Sequence, residues 1–217
     1  MDNVSVTYNI YKTFTKESIF DQDGKVNTAQ FLPSDSDEQY METGKNNAEL
    51  IISAYKKKSK KKLINVAEIG VGDGRIATEI SKHCDTLTCV DINPYVLEAT
   101  KERFNRFGVT NAEFVLANEF DAENKYDLVY CCQVIQHNTR EGQLAIINQI
   151  KKALKPSGAA FIHLPKLENK ATYQNCDTCM CFTREQAEEL GSYFSECEIN
   201  EFDLIPDWDD YYLLCKK

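Results

Sequence analysis

Apolar residues recur along this chain in short runs separated by helical stripes. Leu63, Ile64, Val66 and Ile69 make a mostly apolar run suited to a buried parallel strand, and Ile76, Ala77 and Ile80 follow at helical spacing. The alternation then repeats. Leu87 to Asp91 reads as a second strand. Asn93 and Pro94 then suit the cap and first turn of a helix whose face carries Leu97, Thr100, Phe104 and Phe107 and which ends near Gly108. Ala112 to Leu116 and Tyr126 to Cys132 are the third and fourth strands. Leu144, Ile147, Ile150 and Leu154 mark a helix stopped by the turn Lys155-Pro156-Ser157-Gly158, before a fifth strand over Ala159 to Leu164. Thr183-Arg184-Glu185-Gln186 forms a capping box ahead of a helix that buries Ala187, Leu190 and Phe194. Strands around Cys197 to Leu204 and Tyr211 to Cys215 bring the number to seven, with Trp208 in the connection between them, expected to pack over the sheet edge, closing a site being the alternative. Strands alternating with helices predict a parallel sheet covered on both faces, with ligands at the carboxyl ends of its strands.

Upstream of the first strand, Ser36-Asp37-Glu38-Gln39 has the form of a capping box. Tyr40, Met41, Gly44, Ala48, Ile51, Ile52 and Tyr55 follow with helical spacing, which predicts a helix over about 37–57. Six lysines in the seven positions from Lys56 to Lys62 read as its solvated end, where positive charge suits the C-terminal dipole. Residues 1–33 are less patterned. Val4, Val6, Tyr8 and Ile10 alternate with polar residues as a half-exposed strand would, and Asp21-Gln22-Asp23-Gly24 looks like a turn.

Composition narrows the class. A length of 217 residues fits one domain, and 42% hydrophobic with 27% charged residues suits a soluble globular chain rather than a disordered one. A formal net charge of −9 argues against nucleic acid as the main partner, because phosphate binding needs a basic face. No apolar stretch approaches the roughly 20 residues that span a bilayer, and the N-terminus lacks a basic-then-apolar leader, so a cytoplasmic setting without a membrane partner is expected. The nine cysteines are odd in number and scattered, which suits reduced thiols better than a disulfide framework.

The candidate chemistry centres on Glu68-Ile69-Gly70-Val71-Gly72-Asp73-Gly74. Glycines at alternate positions let the backbone turn tightly and admit a ligand close to the main chain, beside the unpaired N–H groups of the next helix. Asp91 ends the second strand some twenty residues past Gly70, where a dinucleotide-type fold places a ribose-binding carboxylate. Cys176, Cys179 and Cys181 lie within six residues. They could hold zinc only if a fourth ligand such as Cys197 or His163 approached, so no metal site is expected and the three are read as reduced loop thiols, a redox or thiol-reactive loop being the alternative.

These residues carry a resemblance. Glu68-x-Gly70-x-Gly72-x-Gly74 followed by Val90-Asp91-Ile92-Asn93 resembles motifs I and II of the class I S-adenosylmethionine-dependent methyltransferases, and the resemblance extends from about Leu63 to the C-terminus. The spacing differs from the G-x-G-x-x-G of dehydrogenases, which bind a pyrophosphate that this cofactor lacks. The resemblance implies a single-domain α/β fold over residues 36–217, a Rossmann-like, doubly wound sheet of seven mostly parallel strands with the last antiparallel. Residues 1–35 would precede it as a cap or subunit contact, a plain flexible extension being the alternative.

S-adenosylmethionine is the implied cofactor. Gly70, Gly72 and Gly74 would border its methionine part, Asp91 would bind the ribose diol, Ile92 would pack on adenine and Asn118 would meet the adenine edge. Glu68 would fix the glycine turn or reach the ligand through water, and Tyr40 and Lys45 would lie near the amino-acid end. Gln133-Val134-Ile135-Gln136-His137-Asn138 resembles the segment after strand four that lines the junction of cofactor and substrate. That adds Gln133 to the cofactor set and makes His137 the candidate base, although in related sequences a histidine here often only shapes the loop. The implied reaction is methyl transfer to a small molecule. The Asn/Asp-Pro-Pro-Tyr type of motif that resembles amino-group methylation of bases is absent after strand four. Methylation of protein or RNA, and a non-catalytic cofactor-binding scaffold, stay open as alternatives.

Overall fold

A computed structural model describes residues 13–23, 37–167, 179–205 and 208–217. The expected strand over Val4 to Ile10, Gly24, Ser36, Cys176, residues 206–207 and the Trp208 side chain lie outside that description. The chain forms two compact units, one spanning residues 11–120 and the other residues 121–217.

The first unit contains α1 (Lys16–Ile19), α2 (Asp37–Lys58), β1 (Leu63–Ile69), α3 (Arg75–Ile80), β2 (Cys84–Asp91), α4 (Pro94–Phe107) and β3 (Ala112–Leu116). Its strands pair in parallel in the order β3-β2-β1, with Ile69 opposite Val90 and Asp91 opposite Leu116. Buried apolar residues at consecutive positions of β1 and β2 (Val66, Ala67, Leu87, Cys89, Val90) match a sheet covered on both faces. The cap of α4 is as expected: Asn93 Oδ1 accepts from Tyr95 N at 2.9 Å, Pro94 fills the first turn and Gly108 closes the helix with φ 68°. Phe107 departs from the expected buried face. The stripe runs through Val96, Thr100, Arg103 and Phe104, and Phe107, a turn further on, stands exposed beside Arg106.

The second unit contains β4 (Tyr126–Cys131), α5 (Arg140–Ala153), β5 (Leu154–Leu164), α6 (Arg184–Gly191), β6 (Glu196–Ile205) and β7 (Trp208–Lys216), its strands ordered β4-β5-β7-β6. β4 and β5 are parallel, and β7 is antiparallel to both its neighbours. Among the described residues the strands therefore number seven, mostly parallel with the last antiparallel, as expected. The Thr183/Gln186 capping box of α6 forms as its spacing predicts.

Two expectations are corrected here. Lys155 to Gly158 is not a free turn. It is absorbed into β5 as an irregularity, because the register passes from Tyr126–Leu154 to Leu128–Ala159 and the extra residues must bulge. Nor are all cysteines reduced. Cys197 and Cys215 stand directly opposite on β6 and β7 and are joined as a disulfide, while Cys84, Cys89, Cys131, Cys132, Cys179 and Cys181 remain thiols. Sequence spacing does not reveal a pair set by strand register. Among the described residues no helix is long and apolar enough to cross a membrane, and no group of three or more potential ligands gathers for a metal.

Candidate functional site

The glycine turn leaves β1 and is fastened at each step. Gly70 N and Val71 N both donate to Val90 O on β2, at 2.8 and 3.0 Å, and Gly74 N donates to Val71 O at 3.1 Å. Gly70, Gly72 and Gly74 all adopt left-handed backbone, with φ of 74°, 58° and 84°. At Gly74 the fit is also steric, since a Cβ would lie 2.7 Å from Thr100 Cγ2 and 3.1 Å from the Phe104 ring. Gly74→Ala is therefore expected to lower the free energy of unfolding by about 2–3 kcal/mol, read from a urea transition. A variant with an unchanged midpoint would refute this account of the turn.

Side chains from α2 and α4 lock the turn from outside. Asp73, nearly fully buried, accepts a hydrogen bond from the Tyr40 hydroxyl at 2.6 Å and pairs with the buried Arg103 guanidinium. Arg103 Nε also donates to Asp73 O at 2.9 Å, and the Thr100 hydroxyl donates to Gly72 O at 2.7 Å. The guanidinium groups of Arg75 and Arg103 lie 5.6 and 5.4 Å from the centroid of the Tyr40 ring. Burial pushes the Tyr40 hydroxyl far above its ordinary pKa, and the Asp73 charge adds to the effect, so it stays a donor. Close approach of α2 to the start of α3 depends on Gly44, where a Cβ would meet Arg75 O at 2.6 Å.

Asp91 ends β2 beside this turn. Its Oδ2 accepts from Gly72 N at 3.3 Å and its Oδ1 from Asn93 N at 3.0 Å. Burial raises its pKa to about 6, against the pull of the backbone N–H groups of Asn93, Gly72 and Ile92. Ala117 N donates to Asp91 O at 2.8 Å, which brings the turn after β3, with exposed Asn118, next to the end of β2. Ile92 keeps 36% of its surface exposed. A buried carboxylate with neutral donors, three left-handed glycines, an exposed apolar side chain and an exposed amide thus meet within one unit. This set fits the cofactor that the resemblance implies: hydroxyls for the carboxylate, a close main-chain approach at the glycines and a flat apolar ring for Ile92.

Glu68 is buried at the end of β1 opposite Cys89, whose thiol is held well above its usual pKa by burial and then by the Glu68 charge. Lys45 is exposed and pairs with Glu42 at 3.8 Å. The Tyr40 hydroxyl is engaged with Asp73. Part of the N-terminal extension is packed: Ile19, Phe14 and Phe20 cluster with Val96 and Ala99, and Asn93 Nδ2 donates to Phe14 O at 2.8 Å.

In the second unit, Gln133 follows β4 with φ 59°, left-handed backbone that is unusual for a residue with a side chain. A single helical turn over Ile135–His137 comes next. His137 is buried, with Cys179 Sγ 3.6 Å from its Nδ1 and 3.9 Å from its Nε2. Met180 N donates to Gln136 O at 2.9 Å, which ties the segment bearing Cys179 and Cys181 to this turn. Gln136 is 2% exposed, and its Oε1 has no hydrogen-bond partner among the described residues.

The sequence reading missed Asp73, Thr100 and Arg103 as functional residues. Their signal was present: an acid inside the glycine turn, and an arginine on the buried stripe of α4, a position that demands a charged partner.

Residues 67–160 match a family model described as a methyltransferase domain. Nodulation protein S of Rhizobium tropici is 24% identical over 98 residues, 44% of this chain and 41% of the relative. Ubiquinone biosynthesis O-methyltransferase of Rickettsia conorii is 29% identical over 109 residues, 50% of this chain and 37% of the relative. The chain thus spans only about two fifths of the length of the curated relatives it matches. Among solved structures, the N-methyltransferase NodS from Bradyrhizobium japonicum WM9 aligns with a TM-score of 0.64 at 17% identity, covering 84% of this chain and 99% of that one. The same enzyme in complex with S-adenosyl-L-homocysteine aligns at 0.63 and 16% identity, over 79% and 86%. At such identities the likeness establishes the fold.

Proposed function

We propose that this chain, whose residues 67–160 form a methyltransferase domain on the class I fold, transfers the methyl group of S-adenosylmethionine to a small-molecule acceptor. The observation that carries the proposal is the left-handed glycine turn set against the buried Asp91 carboxylate. Gly70, Gly72 and Gly74 border the amino-acid part, Asp91 takes the ribose diol, Ile92 packs on the purine and Asn118 meets its edge. Glu68 fixes the glycine turn or reaches the cofactor through water. By the family's pattern after strand four, Gln133 joins the cofactor set and His137 serves as the base. In this reading the domain proper spans residues 36–217, with residues 1–35 as a cap or a subunit contact.

Bound cofactor supplies a sulfonium whose methyl group is already electrophilic. The chain's share is alignment, exclusion of water and, for an acceptor that must lose a proton, His137 as base. The acidic balance supports a metabolite acceptor rather than nucleic acid, and the cytoplasm is the compartment proposed. Incubation with methyl-labelled cofactor and cell extract, separated into small-molecule, RNA and protein fractions, tests this. Label in the small-molecule fraction supports the proposal. Label confined to RNA or protein moves the acceptor to that class, and bound cofactor without transfer leaves the scaffold reading.

Asp91 gives the proposal a pH signature. The folded-state pKa, about 6, lies above the usual 3.8, so the ligand-free fold gains stability from this group as pH falls through that window and loses it as pH rises. Ribose hydroxyls donate to the ionised carboxylate, so cofactor affinity moves the other way. It should fall toward about tenfold per pH unit below about pH 6. Calorimetric titrations from pH 8 to 5 check this, and an affinity flat across that range would remove Asp91 from the binding step.

A further inference from the structure

The second unit buries an acid–imidazole pair where the end of β5 lies beside the start of β7. His163 and Asp210 are both fully buried, with His163 Nε2 3.0 Å from Asp210 Oδ2. Asp210 Oδ1 accepts from Lys166 N at 3.1 Å. On its other side, His163 Nδ1 lies 3.3 Å from the backbone N of Gln133. A backbone N–H can only donate, so Nδ1 must be bare and the ring proton must sit on Nε2, directed at the carboxylate. The Phe202 ring meets the imidazole edge-on at 6.0 Å and helps fix its plane.

The residue at the end of this relay is Gln133, with its left-handed backbone. Such a conformation persists in a residue with a Cβ only where surrounding contacts impose it. The bare nitrogen of His163 supplies one such contact and receives the N–H that the turn directs away from the β4 ladder.

We propose that His163, oriented by Asp210, is a positioning residue of the transfer site: its bare Nδ1 holds the left-handed Gln133 backbone and so sets the Gln133–His137 segment. The proposal rests on the reading of that segment as facing the cofactor. It acts through Gln133, and neither His163 nor Asp210 touches a reacting atom.

Two replacements separate the two hydrogen bonds. In His163→Asn the amide oxygen can take the place of Nδ1 and keep the acceptor for Gln133. In His163→Gln the amide nitrogen can take the place of Nε2 and keep the donor to Asp210, while the acceptor is lost. Titration with S-adenosylhomocysteine should find His163→Asn within about threefold of wild type and His163→Gln weakened about tenfold. In a Gln133→Gly background, where the left-handed turn needs no support, His163→Gln should add little further loss.

A purely structural role for His163 would instead give equal losses in both backgrounds, and that result overturns the proposal. So does an Asn variant as impaired as the Gln variant. Nitrogen NMR of the wild-type imidazole is a readout independent of ligand and of variant folding. A bare Nδ1 is expected, and a protonated Nδ1 overturns the relay. If Gln133→Ala leaves affinity unchanged while the NMR signature holds, the cofactor-facing reading of Gln133 has failed and the His163 hydrogen bond has not.

Discussion

Replacing Arg103 with alanine is expected to lower the free energy of unfolding by about 3–5 kcal/mol, because the Asp73 carboxylate would be left buried without its charge partner. For a chain of this size that corresponds to a melting point lower by about 10 °C. The loss should also reach the cofactor, since Asp73 lies between Gly72 and Gly74 and its backbone carbonyl is held by the same guanidinium. Arg103→Lys restores the charge but cannot give the forked contact to both carbonyl and carboxylate, so it should recover only part of the stability. The double variant Asp73→Asn, Arg103→Met should unfold less readily than Arg103→Ala alone, because no charge remains buried unpaired. Urea transitions of the three proteins check the series. Equal stability of Arg103→Ala and wild type would mean that the ion pair does not hold the turn.

Asp91→Ala carries the largest expected effect on binding. Two charge-assisted hydrogen bonds to a ribose diol amount to roughly 3 kcal/mol, or a hundredfold or more in the dissociation constant for S-adenosylhomocysteine. Stability should respond in the opposite sense near neutral pH. A buried carboxylate whose pKa is raised to about 6 opposes folding when ionised, so its removal relieves the ligand-free protein even as it weakens the ligand. Weaker binding with equal or greater stability identifies a residue that serves the ligand. A variant that lost both would point to Asp91 as a structural support of Gly72 and Asn93.

The first unit was largely legible in the sequence because its signals are local. An apolar run, three glycines and an Asn-Pro cap each dictate their own backbone, and β1, β2, α4 and β3 stand close to where those signals put them. What was not legible depends on residues distant in the chain. The Tyr40–Asp73–Arg103 cluster joins α2, the glycine turn and α4 across 33 and 30 residues. The Cys197–Cys215 bond follows from the register of β6 against β7, and the bulge at Lys155 to Gly158 from that of β4 against β5. His163 enters the sequence reading only as a conditional fourth ligand for zinc, and nothing in its neighbourhood announces Asp210, 47 residues on.

The most direct test of the central claim is a calorimetric titration of the wild-type chain with S-adenosylhomocysteine at pH 7.5, with Asp91→Ala as the control. The account predicts a single site of micromolar affinity in the wild type and a loss of about a hundredfold or more in the variant. Absence of binding to the wild type, or equal binding by both proteins, would contradict it: the glycine turn and Asp91 would then form a fold element and not a cofactor site.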